Sequence, residues 1–145
     1  MSDFVVIDAS VAVKWLVRES DSYEALELVT SWAAGGVTLV APYLMPAEVS
    51  NALHKRVVSE ELSVAAASHQ VELLLASGVQ LIETPSLHVR ALAIASEFNQ
   101  RAAYDAHYLA LAEELDCDFW TADARFYRAA APVVDRIRLL GATAS

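Results

Sequence analysis

Short apolar runs alternate with longer segments of helical spacing along the whole chain, and this alternation constrains the fold more than any other feature. Five runs are short, apolar and bounded by turn-forming or polar residues, as buried strands are: FVVI, VTLVAP, VQLIETP, DFWTAD and VVDRIRLL. Because helical segments separate them, consecutive strands are expected to run parallel and to be joined by right-handed crossovers. The sequence therefore predicts an α/β fold with a central parallel sheet.

Six segments between the strands carry helix signals. Pro46 lies in the first turn of the third segment, and Ser63 and Gly78 bracket the fourth. Ligands of open parallel sheets bind beyond the carboxyl ends of the strands, so the chemistry is expected there. The predicted helices are SVAVKWLVRE, DSYEALELVTSWAAGG, MPAEVSNALHKRVVS, SVAAASHQVELLLASG, SLHVRALAIASEFNQ and AYDAHYLALAEEL.

Length and composition indicate one domain with a sizeable core. The chain has 145 residues, is 56% hydrophobic and has a mean hydropathy of +0.36. Neither a repeat nor a linker interrupts it, so a single domain over residues 1–145 is predicted. The apolar content also favours elements covered on both faces, or a face covered by another subunit.

Three features bear on the location of the protein. Asp3 and Asp8 stand where a secretory signal needs a basic start, so no such signal is expected. The most apolar stretch, AAGGVTLVAPYLMPA, is broken by glycines and prolines, so no membrane span is expected. Cys117 is the single cysteine, which excludes an internal disulfide and favours a reducing, cytoplasmic setting.

The formal net charge is −9. Taken alone, this charge argues against a broad basic face for nucleic acid. It suits a basic partner segment or divalent metal ions, and it is equally explained by acidity that keeps an apolar protein soluble. The positions of the acidic residues decide between these explanations.

Two aspartates follow predicted strands. Asp8 comes directly after FVVI and Asp123 ends DFWTAD, so both are expected at the ligand-binding edge of the sheet. Aspartate is also a favoured helix N-cap, so Asp123, and Asp8 or Ser10, could instead cap the segments that follow. Taken one at a time, capping is the simpler explanation.

Two further acids lie at helix starts. Glu48 is expected in the first turn of its helix, where the helix dipole favours a carboxylate, and Asn51 and Lys55 share its helical face. Asp105 heads a mostly apolar stripe in YDAHYLALA. A carboxylate on the core side of a helix needs a partner, unless Asp105 caps the helix from outside.

Four carboxylates that meet at one edge of a sheet would need a cation. Asp8, Glu48, Asp105 and Asp123 have no Lys or Arg adjacent in sequence. Two charges about 4 Å apart repel by roughly 4 kcal/mol at an effective dielectric of about 20, so such a cluster requires raised pKa values or bound cations. Oxygen ligands without a Cys or His cluster select Mg²⁺ or Mn²⁺ over zinc.

The motifs VIDASV, PAEVSNAL, YDAHYLALAEEL and FWTADARF, in this order and spacing, resemble the PIN-domain ribonucleases over essentially the whole chain. Length and motif order are most similar to the VapC-type toxins of bacterial toxin–antitoxin pairs. The resemblance implies a three-layer α/β/α sandwich. It also implies that Asp8, Glu48, Asp105 and Asp123 bind Mg²⁺ or Mn²⁺ and hydrolyse RNA phosphodiester bonds, leaving 5′-phosphate and 3′-hydroxyl ends.

The resemblance also implies supporting roles. Ser10 and Thr121 stand where the family often has hydroxyl residues that support the acids, and Asn51 matches a frequent polar companion of the glutamate. His107 is a variable position and is given no role. Asp116 and Asp118, near the start of their strand, are predicted to be solvated. The basic residues available to hold an RNA backbone are Lys14, Lys55, Arg56, Arg101 and Arg125, although an ordinary solvated cation is the simpler explanation for each.

The partners implied by the resemblance are a small VapB-type antitoxin, an RNA substrate of the transfer or ribosomal class, and a second copy in a homodimer. The antitoxin is expected to insert a basic side chain into the acidic pocket. Trp15, Trp32 and Tyr43 are candidate interface aromatics, although core packing explains them more simply.

Three rival functions make different demands on the sequence. A receiver-like phospho-acceptor domain needs adjacent acids after the first strand and a late lysine, whereas Asp8 is followed by Ala9 and no lysine follows Lys55. A haloacid-dehalogenase-type phosphatase needs an acid where Ser10 stands. A catalytically silent PIN module that only binds RNA or a partner stays open, although the complete acid set argues against it.

Overall fold

A computed structural model describes residues 3–141 of the chain. Over those residues the backbone forms five strands and seven helices. In chain order they are β1 (Phe4–Ile7), α1 (Ala9–Leu16), α2 (Ser22–Ala34), β2 (Thr38–Pro42), α3 (Leu44–Val58), α4 (Val64–Leu75), β3 (Gln80–Ile82), α5 (Pro85–Glu97), α6 (Tyr104–Leu115), β4 (Asp118–Thr121), α7 (Ala124–Ala130) and β5 (Ile137–Leu139).

The strands form one sheet in the order β3-β2-β1-β4-β5. β1 lies at the centre, with Val5 opposite Leu39 of β2 and Val6 opposite Phe119 of β4. Every pairing in the sheet is parallel, so the predicted α/β class with a central parallel sheet is confirmed. The central position of β1 explains why its sequence is continuously apolar.

Aromatic contacts show that helices cover both faces of the sheet. Phe119 and Trp120 are neighbours on β4, so their side chains point to opposite faces. Tyr108 of α6 stacks on Phe119 with ring centroids 5.9 Å apart, and Trp32 of α2 packs edge-on against Trp120 at 6.0 Å. Helices α6 and α2 therefore cover opposite faces, which gives the three layers implied by the resemblance.

Helix α6 is apolar around most of its circumference. A helix of this kind is buried on several sides, and α6 contacts both the sheet and α5. Its many alanines allow close approach to these neighbours. The fully buried residues of α6 are Ala106, Tyr108, Leu109, Ala110, Leu111 and Ala112.

Helix α7 was not predicted from the sequence. It occupies Ala124–Ala130, and seven residues are too few for a helical period to be recognised. The local signal for it was Asp123, which caps its first turn. Helix α1 is shorter than predicted, since the chain becomes extended at Val17 instead of continuing to Glu19.

The candidate interface aromatics divide into two groups. Trp15 donates its indole N–H to a carbonyl of α2 at 2.9 Å and packs against the core, and Trp32 packs on Trp120. Core packing, the simpler explanation, therefore holds for both. Tyr43 is 61% exposed. No helix within residues 3–141 is long and apolar enough to cross a membrane.

Candidate functional site

Two aspartates leave neighbouring strands at the carboxyl edge of the sheet. Ile7 of β1 is opposite Trp120 of β4, and Asp8 and Asp123 follow these strands by one and two residues. The Asp8 N–H donates to the Trp120 carbonyl at 3.3 Å, which continues the strand pairing up to the acid. The register of the sheet therefore determines that these two acids are neighbours.

Asp8 is the most buried of the four acids, with 3% of its surface exposed. Its Oδ1 accepts hydrogen bonds from Ser10 Oγ at 2.5 Å and from the Val11 N–H at 3.1 Å, and its Oδ2 accepts from Thr121 Oγ1. Burial raises the pKa of Asp8 to about 6, against the lowering effect of these hydrogen bonds, and the charge of Asp123 adds to the rise. Ionisation of Asp8 therefore has a free-energy cost that a nearby cation would reduce.

Ser10 and Thr121 connect the loops that follow β1 and β4. Ser10 Oγ donates to Asp8 and accepts from the Ala122 N–H at 2.8 Å. Thr121 Oγ1 donates to Asp8 and accepts from the Asp123 N–H at 3.0 Å. Each hydroxyl uses both its donor and its acceptor capacity, so the two loops and the Asp8 carboxylate form one connected network.

Both strand-end aspartates also cap helices. Asp8 caps α1 through the Val11 N–H, and Asp123 Oδ1 accepts from the N–H groups of Arg125 and Phe126 at 3.0 and 3.2 Å. The capping explanation is therefore correct for both residues. It does not exclude a role in the cleft, because the cap uses only Oδ1 of each carboxylate.

Asp105 lies in the first turn of α6. Ala103 occupies the N-cap position of this helix, so the idea that Asp105 caps it from outside is wrong. Burial first, and then the charges of Asp8 and Asp123, raise the pKa of Asp105 to about 6. When Asp105 is protonated it is close enough to hydrogen-bond Asp123.

Glu48 lies further along its helix than the sequence predicted. Because α3 begins at Leu44, Glu48 falls outside the first turn, and the helix dipole does not explain its presence. Its Oε1 accepts a hydrogen bond from the Tyr108 hydroxyl at 2.6 Å. Burial raises the pKa of Glu48, the Tyr108 hydrogen bond lowers it, and the charge of Asp105 raises it.

Tyr108 is the neighbour of the site that the sequence did not predict. In the sequence pattern it is one member of the apolar stripe below Asp105. A weak local signal was present, because a buried tyrosine usually gives its hydroxyl a hydrogen-bond partner. The partner itself was beyond local reach, since Glu48 lies 60 residues earlier in the chain.

The four acids line one cleft of about 710 Å³, together with Asn51, which is exposed. Within residues 3–141 none of the four carboxylates forms an ion pair with Lys or Arg. In the same part of the chain, no three His, Cys, Asp or Glu side chains lie close enough together to hold a metal ion at once. The four carboxylates of the cleft are therefore not ion-paired with any Lys or Arg of the described residues.

The sequence matches the PIN domain family over residues 5–132. This chain belongs to the PIN domain family. The resemblance seen in the four motifs is thereby confirmed, and PIN domains are generally nucleases.

Two solved structures are similar to this PIN domain. PAE2754 from Pyrobaculum aerophilum is 23% identical in sequence, with a TM-score of 0.64 over 92% of this chain and 91% of that chain. VapBC2 from Rickettsia felis, solved bound to a DNA fragment from their promoter, is 15% identical, with a TM-score of 0.62 over 88% of this chain and 93% of that chain. At these identities the likeness shows the fold alone. No curated protein matches the sequence.

Three of the basic residues considered for RNA binding line the cleft of the PIN domain: Lys14, Lys55 and Arg56. Lys14 Nζ lies 3.6 Å from Glu19 Oε1, and Arg56 pairs with the other oxygen of Glu19. Lys55 is exposed and forms no ion pair with any residue that the structure describes. Lys55 is therefore the cation of the cleft whose charge is least compensated.

Four other predicted residues lie away from the cleft. Arg101 and Arg125 are exposed and do not line it. Asp116 and Asp118 lie at the amino end of β4, opposite the acidic edge, where each pairs with an arginine, at 3.1 and 3.6 Å. The side chain of Asp116 is 91% exposed and that of Asp118 is 49% exposed, so the expected solvation applies fully only to Asp116.

Proposed function

We propose that this PIN domain is a metal-dependent endoribonuclease and the toxin of a VapBC-type toxin–antitoxin pair. The observation that carries the proposal is that four carboxylates line one cleft without a basic partner. Burial and mutual repulsion raise the pKa values of Asp8, Glu48 and Asp105. A divalent cation would relieve both penalties.

The donor set fits Mg²⁺ or Mn²⁺. All four side chains offer hard oxygen ligands, and the cleft is lined by neither Cys nor His among the described residues. Asp8, Glu48, Asp105 and Asp123 are the residues that would hold the ion, after small side-chain movements that bring their oxygens together. When bound, the ion supplies charge neutralisation at the scissile phosphate and lowers the pKa of a bound water.

The other residues of the cleft would hold the RNA and orient the acids. Ser10 and Thr121 fix the Asp8 carboxylate through its two oxygens, so its direction is set before substrate binds. Lys55 and Asn51 lie on the same helical face as Glu48 and would contact the backbone next to the scissile phosphate. Lys14 and Arg56 would contact phosphates further along the strand.

The partners follow from the same proposal. A VapB-type antitoxin would cover the cleft and place a basic side chain among the carboxylates, where the described chain supplies none. The RNA target would be a single-stranded loop of transfer or ribosomal RNA. Proteins recognise the unstacked bases of such loops by their shape and by stacking on them. We further propose a homodimer that acts in the cytoplasm.

The proposal is tested by incubating total RNA with the purified protein and Mg²⁺. Cleavage is expected to stop in EDTA and to fall by more than about 100-fold in Asp8→Asn and Asp105→Asn. Loss of a residue that only hydrogen-bonds a metal ligand lowers activity by up to about 100-fold, and loss of a ligand itself should lower it further. The matched control is Asp116→Asn, which removes an exposed carboxylate at the opposite edge of the sheet and should cleave normally. Cleavage that persists in EDTA or in both site variants would overturn the metal centre.

The toxin role predicts a phenotype. Expression of the wild-type protein in bacteria should arrest growth, because cleaved RNA stops translation, and co-expression of a small neighbouring antitoxin gene should restore it. Colony counts after induction measure the effect, with Asp8→Asn as the inactive comparison. Normal growth during expression of a protein that cleaves RNA in vitro would count against the toxin role but not against the nuclease.

A further inference from the structure

The Tyr108 hydroxyl joins two helices that each carry one of the acids. It donates to Glu48 Oε1 of α3 at 2.6 Å. Tyr108 itself lies on α6, one turn after Asp105. A single buried hydroxyl thus connects α3, which carries Glu48, to α6, which carries Asp105.

The ring of Tyr108 is held firmly. The residue is fully buried, and its ring stacks on Phe119 with an interplanar angle of 8°. Since the ring cannot rotate away, the hydroxyl has a fixed position from which it can aim a flexible glutamate. An ordinary tyrosine hydroxyl, with a pKa of about 10, keeps its proton at neutral pH and can donate it to a carboxylate.

Glu48 has no other hydrogen-bond partner among the described residues. A glutamate side chain has three rotatable bonds, and an unrestrained one would turn out of a cleft full of like charge. A short hydrogen bond from a neutral donor opposes that movement and leaves the negative charge of the carboxylate intact. A lysine or arginine in the same place would neutralise that charge. The arrangement leaves Glu48 Oε2 available to the cleft.

We propose that Tyr108 is the positioning residue of the site, holding the Glu48 carboxylate toward Asp8 and Asp105 so that the acids can share one divalent cation. The proposal rests on the metal-dependent function proposed above. Partners of metal ligands act in this way, and their loss typically weakens metal binding by about 10- to 100-fold.

The hydrogen bond itself is tested without metal, by a double-mutant cycle. Tyr108→Phe keeps the ring and removes only the hydroxyl, and Glu48→Ala removes its acceptor. Urea unfolding in EDTA measures the unfolding constant of wild type, both single variants and the double variant. Tyr108→Phe is expected to raise the unfolding constant about tenfold in wild type and clearly less when Glu48 is already Ala. Equal effects in both backgrounds would overturn the proposal.

The positioning role is tested by calorimetric titration with Mn²⁺. Tyr108→Phe should weaken binding about tenfold while its KM for RNA stays within about twofold of wild type, since the hydroxyl faces the ligands rather than the RNA. A control should keep the wild-type Kd: Tyr127→Phe removes a hydroxyl from a half-buried tyrosine outside the cleft.

The outcomes separate this inference from the function on which it rests. An unchanged Mn²⁺ affinity in Tyr108→Phe, or an equal loss in Tyr127→Phe, would overturn the positioning role and leave the nuclease intact. Failure of the wild-type protein to bind Mn²⁺ would overturn the proposed metal centre and, with it, the positioning role, while the unfolding cycle would still report the Tyr108–Glu48 hydrogen bond.

Discussion

Asp8 illustrates how one residue can serve the fold and the chemistry together. It caps α1, receives two hydroxyl hydrogen bonds and closes the end of the central strand, yet its burial opposes ionisation. From the sequence alone, capping and metal binding stand as alternatives. The structure shows that the carboxylate has enough oxygen lone pairs for several partners at once.

A pH dependence of stability follows at this residue. The pKa of Asp8 is about 6 in the folded protein, whereas an unperturbed aspartate has a pKa of 3.8, so the folded state binds more protons between these values. The contribution of Asp8 to the stability of the metal-free protein should therefore be fully present below about pH 4 and should be lost as the pH rises through about 6. A two-unit shift corresponds to on the order of 3 kcal/mol for Asp8.

The measurement is urea unfolding in EDTA at several pH values between about 4 and 7, the range that the raised pKa spans. Asp8→Asn, which retains a favoured N-cap residue, should reduce the slope and be more stable than wild type at pH 7. Asp116→Asn should keep the wild-type slope. Equal slopes in wild type and Asp8→Asn would contradict the prediction.

At the scale of elements, the cleft is closed on one side by a contact between α1 and α3. Glu19, in the loop after α1, pairs with Lys14 of α1 and with Arg56 near the end of α3. These side chains are only 15% to 25% exposed, so the pairs are better shielded from solvent than ordinary surface pairs. The shared carboxylate keeps both cations on the wall of the cleft and away from the four acids.

Glu19→Gln is expected to lower the free energy of unfolding by about 1 kcal/mol, the upper end for pairs near the surface. The loss should shrink in high salt, because the interaction is electrostatic. Glu61→Gln is the control, since Glu61 is 56% exposed and lies 3.7 Å from the same Arg56, and it should cost less. Equal losses of unfolding free energy in the two variants at low salt would show that the Glu19 ion pairs stabilise the protein no more than the exposed Glu61 pair does.

At the scale of the whole molecule, the net charge of −9 coexists with a proposed RNA-binding cleft. The charge need not oppose binding, because Lys14, Lys55 and Arg56 are gathered at the cleft while many acids lie elsewhere. Nucleic-acid affinity depends on the cations that meet phosphates, more than on the total charge. Sequence-independent binding of RNA should therefore be weak, and the RNA affinity should fall only mildly as the salt concentration rises.

Three phosphate contacts to a single strand predict a slope of about −2 in a plot of log affinity against log salt concentration. Lys55→Gln should reduce the magnitude of this slope by about 0.7, because one contact is lost. Fluorescence anisotropy with a labelled RNA in EDTA measures it without cleavage. Arg90→Gln removes a charge outside the cleft and should leave the slope unchanged. If Arg90→Gln changed the slope as much as Lys55→Gln does, RNA binding would not be centred on the cleft.

The class of fold could be predicted because its signals are local. Apolar runs of strand length, helical spacing between them and acids directly after two strands are all readable within about ten residues of one another. The same signals placed Asp8 and Asp123 at one edge of the sheet, since parallel strands end together. Helix α7 escaped because seven residues carry too little periodicity.

What the sequence alone determined is the alternation of elements, the family motifs and the chemical type of the acidic residues. Only the tertiary structure decided that Tyr108 meets Glu48 and that Glu19 meets Arg56, 60 and 37 residues away along the chain. Helical spacing specifies which residues share a face of one helix. It does not specify which residue of another helix lies opposite, because that depends on how the crossovers pack the helices against the sheet.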